Sequence, residues 1–142
     1  MQTHLREAHS HRLRVLVVDD DSEVAASVGF LVELLGARVA IALGAATGAK
    51  MAKEFKPDLA LIDLEMPGAD GCQLVKMLHS AGVDCGEPVC VCLTGRHGLK
   101  VEQQCRAAGF DGLVRKPLQM DTVESMLNEC QRRIDRAHER CH

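Results

Sequence analysis

Short aliphatic segments alternate with helical patterns along this chain of 142 residues. The first segment, Leu13 to Val18, is rich in β-branched residues and ends abruptly at Asp19-Asp20-Asp21. Apolar runs without polar alternation are typical of strands that are buried on both faces of a parallel sheet. Strands that alternate with helices predict an open α/β sheet with helices on both of its faces. The alternation therefore predicts a doubly wound α/β fold.

The individual elements follow from the apolar periodicity and from the Gly and Pro residues between them. The predicted strands cover Leu13 to Val18, Ala37 to Leu43, Asp58 to Asp63, Val89 to Leu93 and Gly112 to Arg115. The predicted helices carry Val24 to Leu35, Ala45 to Phe55, Cys72 to His79, Lys100 to Ala108, and Met120 to about Ala137. We expect one five-stranded domain over residues 13–137, with a polar N-terminal tail (1–12) and a short C-terminal tail (138–142).

The composition argues against some classes of binding partner, namely nucleic acids and membranes. The formal net charge of -3 gives no electrostatic basis for binding nucleic acid or an anionic membrane. Trp and Tyr are absent, which argues against a base-stacking platform. No stretch approaches the roughly 18 apolar residues of a membrane span, and residues 1–14 show no secretory pattern. We therefore expect a cytoplasmic location.

The seven cysteines are an odd number, and residues 1–14 show no secretory pattern, so we predict free thiols in a reducing compartment. Cys90 and Cys92 point the same way on a predicted strand, but no second pair at ligand spacing completes a four-ligand metal site. We interpret them as buried core thiols. The terminal His138, Cys141 and His142 have metal-binding side chains, but a frayed terminus is the simpler interpretation.

Polar residues follow the predicted strands where each of them ends. Asp19 and Asp20 follow the first strand, Asp63 ends the third, Thr94 follows the fourth and Lys116 follows the fifth. The carboxyl ends of parallel strands meet at one edge of the sheet, where ligands bind in such folds. Clustered carboxylates repel one another and call for a cation, and their hard oxygens suit Mg²⁺. An ammonium and a hydroxyl beside them are suited to a phosphoryl group.

Each of these residues also has a purely structural interpretation. Asp21 and Ser22 are suited to cap the first helix, and we favour that role for them. Asp63 and Thr94 are common turn residues, and Lys116 could be a solvated cation. The arrival of all the polar groups at successive strand ends favours the functional interpretation.

Four segments carry a resemblance to a known family. VLVVDDD, LALIDLEMPGADG, VCLTG and LVRKPL resemble the motifs of response-regulator receiver domains of two-component systems. The resemblance runs from about Leu13 to Gln131. It implies a flavodoxin-like sheet in the order 2-1-3-4-5, like that of the chemotaxis regulators.

The resemblance also implies roles for the strand-end residues. Asp63 would accept a phosphoryl group from a phosphohistidine on a sensor histidine kinase or a histidine phosphotransfer protein, and Lys116 would bind the phosphoryl oxygens. Mg²⁺ would be held by Asp19, Asp20, Asp63 and the backbone carbonyl of Glu65. Such a domain is no enzyme in the ordinary sense, because it catalyses only its own phosphorylation and dephosphorylation. A homodimer through the fourth and fifth helices stays open, and the downstream protein is not identified.

Thr94 matches the switch hydroxyl of the family, whereas Leu113 departs from its pattern. The family usually places Tyr or Phe at this position, three residues before the lysine. The leucine leaves the phosphorylation chemistry intact but puts the usual aromatic switch in doubt. Glu65 and Arg96 flank the site, and we expect them to pair across it.

Three other interpretations remain open at this point. A small phosphatase with an aspartate nucleophile usually carries a second Asp two residues later, where this chain has Glu65. A receiver that is not phosphorylated would act only as an interaction module, but the intact acidic pair argues against it. A flavodoxin-like cofactor carrier would need a Ser/Thr-rich phosphate loop after the first strand, which is missing.

Overall fold

In the computed structural model of the chain, which describes residues 12–66, 71–81 and 87–141, five strands alternate with five helices. The strands are β1 (Arg14–Val18), β2 (Arg38–Ala42), β3 (Leu59–Asp63), β4 (Val89–Thr94) and β5 (Gly112–Arg115). The helices are α1 (Ser22–Leu34), α2 (Ala45–Phe55), α3 (Gly71–Ala81), α4 (Leu99–Ala108) and α5 (Met120–Cys141). The sequence also predicts a loop made by Met66-Pro67-Gly68 together with Gly71. Pro67 and Gly68 lie outside the described residues, as do the polar residues 1–11.

All strand pairs are parallel, in the order β2-β1-β3-β4-β5. This confirms the doubly wound, flavodoxin-like fold and its strand order. The register pairs Val18 with Ile62 and Asp63 with Leu93, and it pairs Thr94 with Arg115. The strands consequently end at nearly the same level, which we call the carboxyl edge of the sheet; the opposite side is the amino edge.

A separate apolar core lies on each face of the sheet. Leu16 and Val18 point to the face covered by α2, α3 and α4, whereas Val15 and Val17 point to the face covered by α1 and α5. Alternate residues of one strand are thus buried on opposite sides, which explains why the strand sequences are apolar without interruption. Cys90 and Cys92 are fully buried on the first of these faces, as predicted.

The final helix is longer than predicted. It continues to Cys141, beyond the expected end near Ala137. The apolar stripe that predicts this helix stops at Ile134, but the residues after it, such as Arg136 and Glu139, are good helix formers. No helix in the described part of the chain combines the length and the hydrophobicity of a membrane span.

Candidate functional site

Three carboxylates meet at the carboxyl edge. Asp19 and Asp20 follow β1 and Asp63 ends β3, and each has an oxygen within 4.8 Å of an oxygen of the others. Asp19 is fully buried and Asp63 is 6% exposed, whereas Asp20 faces solvent. The structure therefore brings together the three acids that the sequence placed at separate strand ends.

Local hydrogen bonds position the first of these acids. The backbone N–H of Asp19 donates to the carbonyl of Ala42 on β2 (3.1 Å), and its side chain accepts from the N–H of Asp21 (2.9 Å). Asp21 in turn caps α1, because its carboxylate accepts hydrogen bonds from the N–H groups of Glu23 and Val24. The capping role predicted for Asp21 is confirmed, and the turn that it forms aims Asp19 into the cluster.

Lys116 links the buried acids. Its Nζ donates to Asp19 Oδ2 (2.8 Å) and to Asp63 Oδ1 (3.3 Å). The backbone N–H of Lys116 donates to the carbonyl of Thr94 (2.9 Å), which ties the end of β5 to the end of β4. The Lys116–Pro117 peptide bond is cis. The strand-end lysine thus reaches across the edge to residues that lie far from it in sequence.

The cluster holds more negative charge than Lys116 neutralises. Burial raises the pKa of Asp63 to about 6, and the charge of Asp19 adds to that rise, while Lys116 partly opposes it. Burial by itself would lower the pKa of Lys116, but its hydrogen bond with Asp19 and the charges of both acids raise it. The ammonium is therefore charged at neutral pH, and the folded protein disfavours the negative charge of Asp63.

The cluster fits a divalent cation. Its donors are hard carboxylate oxygens, one of them on the exposed Asp20, and Mg²⁺ prefers a few such ligands together with water. A dication would favour the ionised form of Asp63, whose pKa is raised by burial and by the charge of Asp19.

Thr94 and the pair of Glu65 and Arg96 lie next to the acids. Thr94 is 1% exposed at the end of β4, and its Oγ1 accepts a hydrogen bond from the N–H of Arg96 (3.0 Å), which leaves the hydroxyl hydrogen to donate. The N–H of Glu65 points at Asp63 Oδ1 (3.4 Å). Arg96 Nη1 donates to Glu65 Oε2 (2.5 Å), and both side chains are about half exposed. The predicted pairing of these two residues is confirmed.

Gly71 contributes to the site in a way that the sequence analysis did not find. It begins α3, one residue before the predicted start, and a Cβ there would stand 2.5 Å from the carbonyl oxygen of Asp63. Only glycine allows α3 to approach the end of β3 so closely. The predicted loop position of Gly71 is wrong: Gly71 begins α3, and its lack of a side chain lets the start of this helix pack closely against the end of β3.

Leu113 lies away from the acids. On β5 it pairs with Cys92 of β4 and packs half-buried against the core beneath α2, α3 and α4. It also lines a groove between α4 and β5, together with Cys105 and Phe110. Leu113 is therefore placed to respond to movement of α4.

Comparison with known proteins agrees with this geometry. The model of the response regulator receiver domain family matches residues 15–128, and the chain belongs to that family.

The similar curated proteins are longer than this chain. The transcriptional regulatory protein PrrA of Mycobacterium bovis is 39% identical over 104 residues, which cover 73% of this chain and 43% of PrrA. The virulence sensor protein BvgS of Bordetella pertussis is 31% identical over 121 residues, which cover 82% of this chain but 10% of BvgS. The chain thus spans less than half the length of these relatives.

Solved structures support the fold. The CheY-like response regulator receiver domain protein of Methanospirillum hungatei has a TM-score of 0.74 at 25% identity, with 92% of this chain and 99% of that chain covered. The chemotaxis protein CheY4 of Vibrio cholerae has a TM-score of 0.74 at 22% identity, with 84% and 99% covered.

Proposed function

We propose that Asp63 is the phosphoacceptor of a two-component phosphorelay and receives its phosphoryl group from a phosphohistidine donor. The observation that carries this proposal is the contact of Lys116 with both Asp63 and Asp19 inside a cluster of three acids. A phosphoryl group bound to Asp63 would bring new negative oxygens into reach of an ammonium that is already oriented by two hydrogen bonds.

In the transfer step, a carboxylate oxygen of Asp63 forms a bond to phosphorus while the P–N bond of the donor breaks. The electron pair of that bond returns to the imidazole of the donor. Positioning and charge stabilisation supply most of the catalysis in such in-line transfers. Lys116 offsets the charge on the moving phosphoryl group, and Thr94 donates its hydroxyl hydrogen to an oxygen of the product.

Mg²⁺ completes the proposed site. Asp19, Asp20, Asp63 and the backbone carbonyl of Glu65 would hold it. When bound, it would keep Asp63 ionised and screen the acids from the incoming phosphoryl group.

Output would follow from a movement of Thr94 and the residues after it, which shifts an equilibrium between two surface conformations. The phosphoryl donor would be a sensor histidine kinase or a phosphotransfer protein, in a cytoplasmic setting. Relatives described as a sensor protein and as a transcriptional regulator both contain a matching segment, so a receiver of this kind serves in either context. Self-phosphorylation and self-dephosphorylation are its only proposed reactions.

The test is incorporation of phosphate from acetyl phosphate or a phosphohistidine donor in the presence of Mg²⁺, with the site mapped by borohydride trapping and mass spectrometry. We expect one label on Asp63 and none in Asp63→Asn, because an amide is no nucleophile. Glu33→Gln, an acid-to-amide change at an exposed position near the end of α1, is the matched control and should label normally.

Asp20→Ala separates metal binding from the acceptor role. It should weaken Mg²⁺ binding and slow labelling while Asp63 stays the labelled residue. Label on a residue other than Asp63 would reject the proposal, and multiple turnover of p-nitrophenyl phosphate would favour a phosphatase instead.

A further inference from the structure

A second group of ionisable side chains lies at the amino edge, far from the phosphoacceptor. His79 is in the last turn of α3, Cys90 is near the start of β4, and Asp111 directly precedes β5. A nitrogen, a sulfur and an oxygen of these three residues lie within 4.8 Å of one another. None of them takes part in the proposed phosphoryl chemistry.

The backbone holds two of these residues in fixed register. The N–H of Cys90 donates to Asp111 Oδ2 (2.8 Å), and the N–H of Asp111 donates back to the carbonyl of Cys90 (2.7 Å). This reciprocal pair holds the Asp111 carboxylate beside the backbone of Cys90, while the Cys90 thiol donates to the carbonyl of Pro88 (3.8 Å). Groups that hydrogen-bond to a metal ligand and fix its direction are a regular part of metal sites.

His79 is the third member of this group. Its Nε2 stands 3.5 Å from Asp111 Oδ2. Zinc bonds of about 2.0–2.1 Å to nitrogen and oxygen at a tetrahedral angle place two such ligand atoms roughly 3.3 Å apart. The observed separation is close to that value, so a metal ion would need little rearrangement of this pair.

The three residues differ in exposure in a way that suits a bound ion. Cys90 is fully buried, whereas the side chains of His79 and Asp111 are 24% and 30% exposed. The thiol would anchor the ion from the core, and the two outer ligands would leave one side open to solvent. A thiolate and a carboxylate together neutralise a dication, so the complex carries no net charge at this partly buried position.

We propose that His79, Cys90 and Asp111 form a binding site for a zinc-class transition-metal ion, with a fourth position open to water. A mixed set of sulfur, nitrogen and oxygen ligands selects such borderline ions over Mg²⁺. Binding replaces the thiol proton of Cys90 with the metal, and the proton leaves to solvent. The ion would tie α3, β4 and the connection from α4 to β5 together at the edge opposite the phosphoacceptor.

The experiment is a titration of the reduced, full chain with Co²⁺ as the spectroscopic probe, in excess Mg²⁺ so that the acidic cluster is occupied. A thiolate-to-cobalt charge-transfer band should appear with one equivalent. Cys90→Ser should abolish the band. His79→Gln and Asp111→Asn should each weaken Co²⁺ binding by about tenfold or more. Asp111→Asn retains an oxygen to accept the Cys90 hydrogen bond, so it tests the charge and the ligand rather than the fold.

Two control variants remove competing ligands. One combines His138→Gln, Cys141→Ser and His142→Gln, and the other is Cys72→Ser; both should keep the band at wild-type affinity. The proposal is overturned if the wild-type chain gives no band, if Cys90→Ser keeps it, or if the terminal variant loses it. If circular dichroism shows that Cys90→Ser does not fold, His79→Gln and Asp111→Asn decide the question. A dissociation constant within twofold of wild type in either of them then rejects the site.

Discussion

The two edges of the parallel sheet both gather ionisable side chains, but they handle the charge in opposite ways. At the carboxyl edge, the ammonium of Lys116 contacts two of the three clustered acids, Asp19 and Asp63, and burial raises the pKa of Asp63 to about 6. At the amino edge, Asp111 is held by the N–H of Cys90 and faces the imidazole of His79. The carboxyl edge thus disfavours the negative charge of Asp63, whereas at the amino edge the carboxylate of Asp111 accepts a hydrogen bond and faces an imidazole.

This difference is informative about function. At Asp63, the unfavourable energy of a buried charge would be recovered when the proposed dication and phosphoryl group bind. A carboxylate that accepts a backbone hydrogen bond at a strand start instead stabilises the fold directly. We therefore expect loss of the carboxylate charge to stabilise the metal-free protein at Asp63 and loss of the carboxylate to destabilise it at Asp111.

The largest expected effect is at Lys116. Lys116→Ala should destabilise the metal-free protein by about 2–3 kcal/mol, because two buried carboxylates lose their cation. Denaturant unfolding in EDTA measures this loss, and added Mg²⁺ should narrow the gap by supplying another cation. Lys100→Ala, on the exposed side of α4, is the control and should change the free energy of unfolding by no more than about 0.5 kcal/mol. Equal stability of the two variants would show that Lys116 does not stabilise the buried acids.

The next test compares Asp63 with Asp111. Asp63→Asn should stabilise the metal-free protein at pH 7 by about 1–2 kcal/mol, because the raised pKa shows that the folded state disfavours this charge. Asp111→Ala should destabilise it by a similar amount of about 1–2 kcal/mol, since the N–H of Cys90 loses its partner. If both substitutions changed the free energy of unfolding in the same direction, the proposed difference between the edges would be wrong.

The effect at Asp63 should depend on pH in a defined window. The pKa of this carboxyl rises from an ordinary 3.8 to about 6 on folding, so the folded state binds more protons between those values. The stability of the wild type should consequently increase as the pH falls from about 6 toward 4, and the advantage of Asp63→Asn should shrink over the same range. A constant difference from pH 7 to pH 4 in EDTA would rule out this cause.

A smaller effect on stability is expected at the pair of Glu65 and Arg96 beside Asp63. Glu65 and Arg96 are about half exposed, so their contact contributes only about 0.2–1 kcal/mol to stability. We expect the consequence in kinetics: Arg96→Ala and Glu65→Ala should each shorten the phosphorylated lifetime, by easing access of the hydrolytic water. Arg132→Ala, which removes a similar exposed pair with Glu129 on α5, should leave the lifetime unchanged. Unaltered lifetimes in both site variants would reject this role.

The smallest change is expected at Leu113. This side chain packs beneath α4 and has no ring to rotate into the space near Thr94. On addition of a beryllofluoride mimic, the amide signals from Thr94 to Gly98 should shift strongly and the methyl signals of Leu113 only weakly. Strong shifts of the Leu113 methyl signals, with little change in the amides from Thr94 to Gly98, would show that Leu113 is the main responding side chain.

Much of the fold could be predicted from local patterns. The strand order came from the family resemblance, and the elements came from continuous aliphatic runs and helical stripes. Their ends were correct to within two residues, except for the end of α5, whose last turns carry no apolar stripe. The strand-end residues of the candidate site were predictable for a related reason: parallel strands deliver their carboxyl ends to one edge, however far apart they lie in sequence.

The sequence by itself therefore determined the layers of the molecule and the kinds of group at its carboxyl edge. Tertiary structure alone decided which of those groups touch, because such distances depend on how helices pack over the sheet. It brought Lys116 to Asp19 as well as to Asp63, and it set the burial that raises the pKa of Asp63. The cluster at the amino edge joins a helix end, a strand start and a connection, and no periodicity in the sequence relates those three positions.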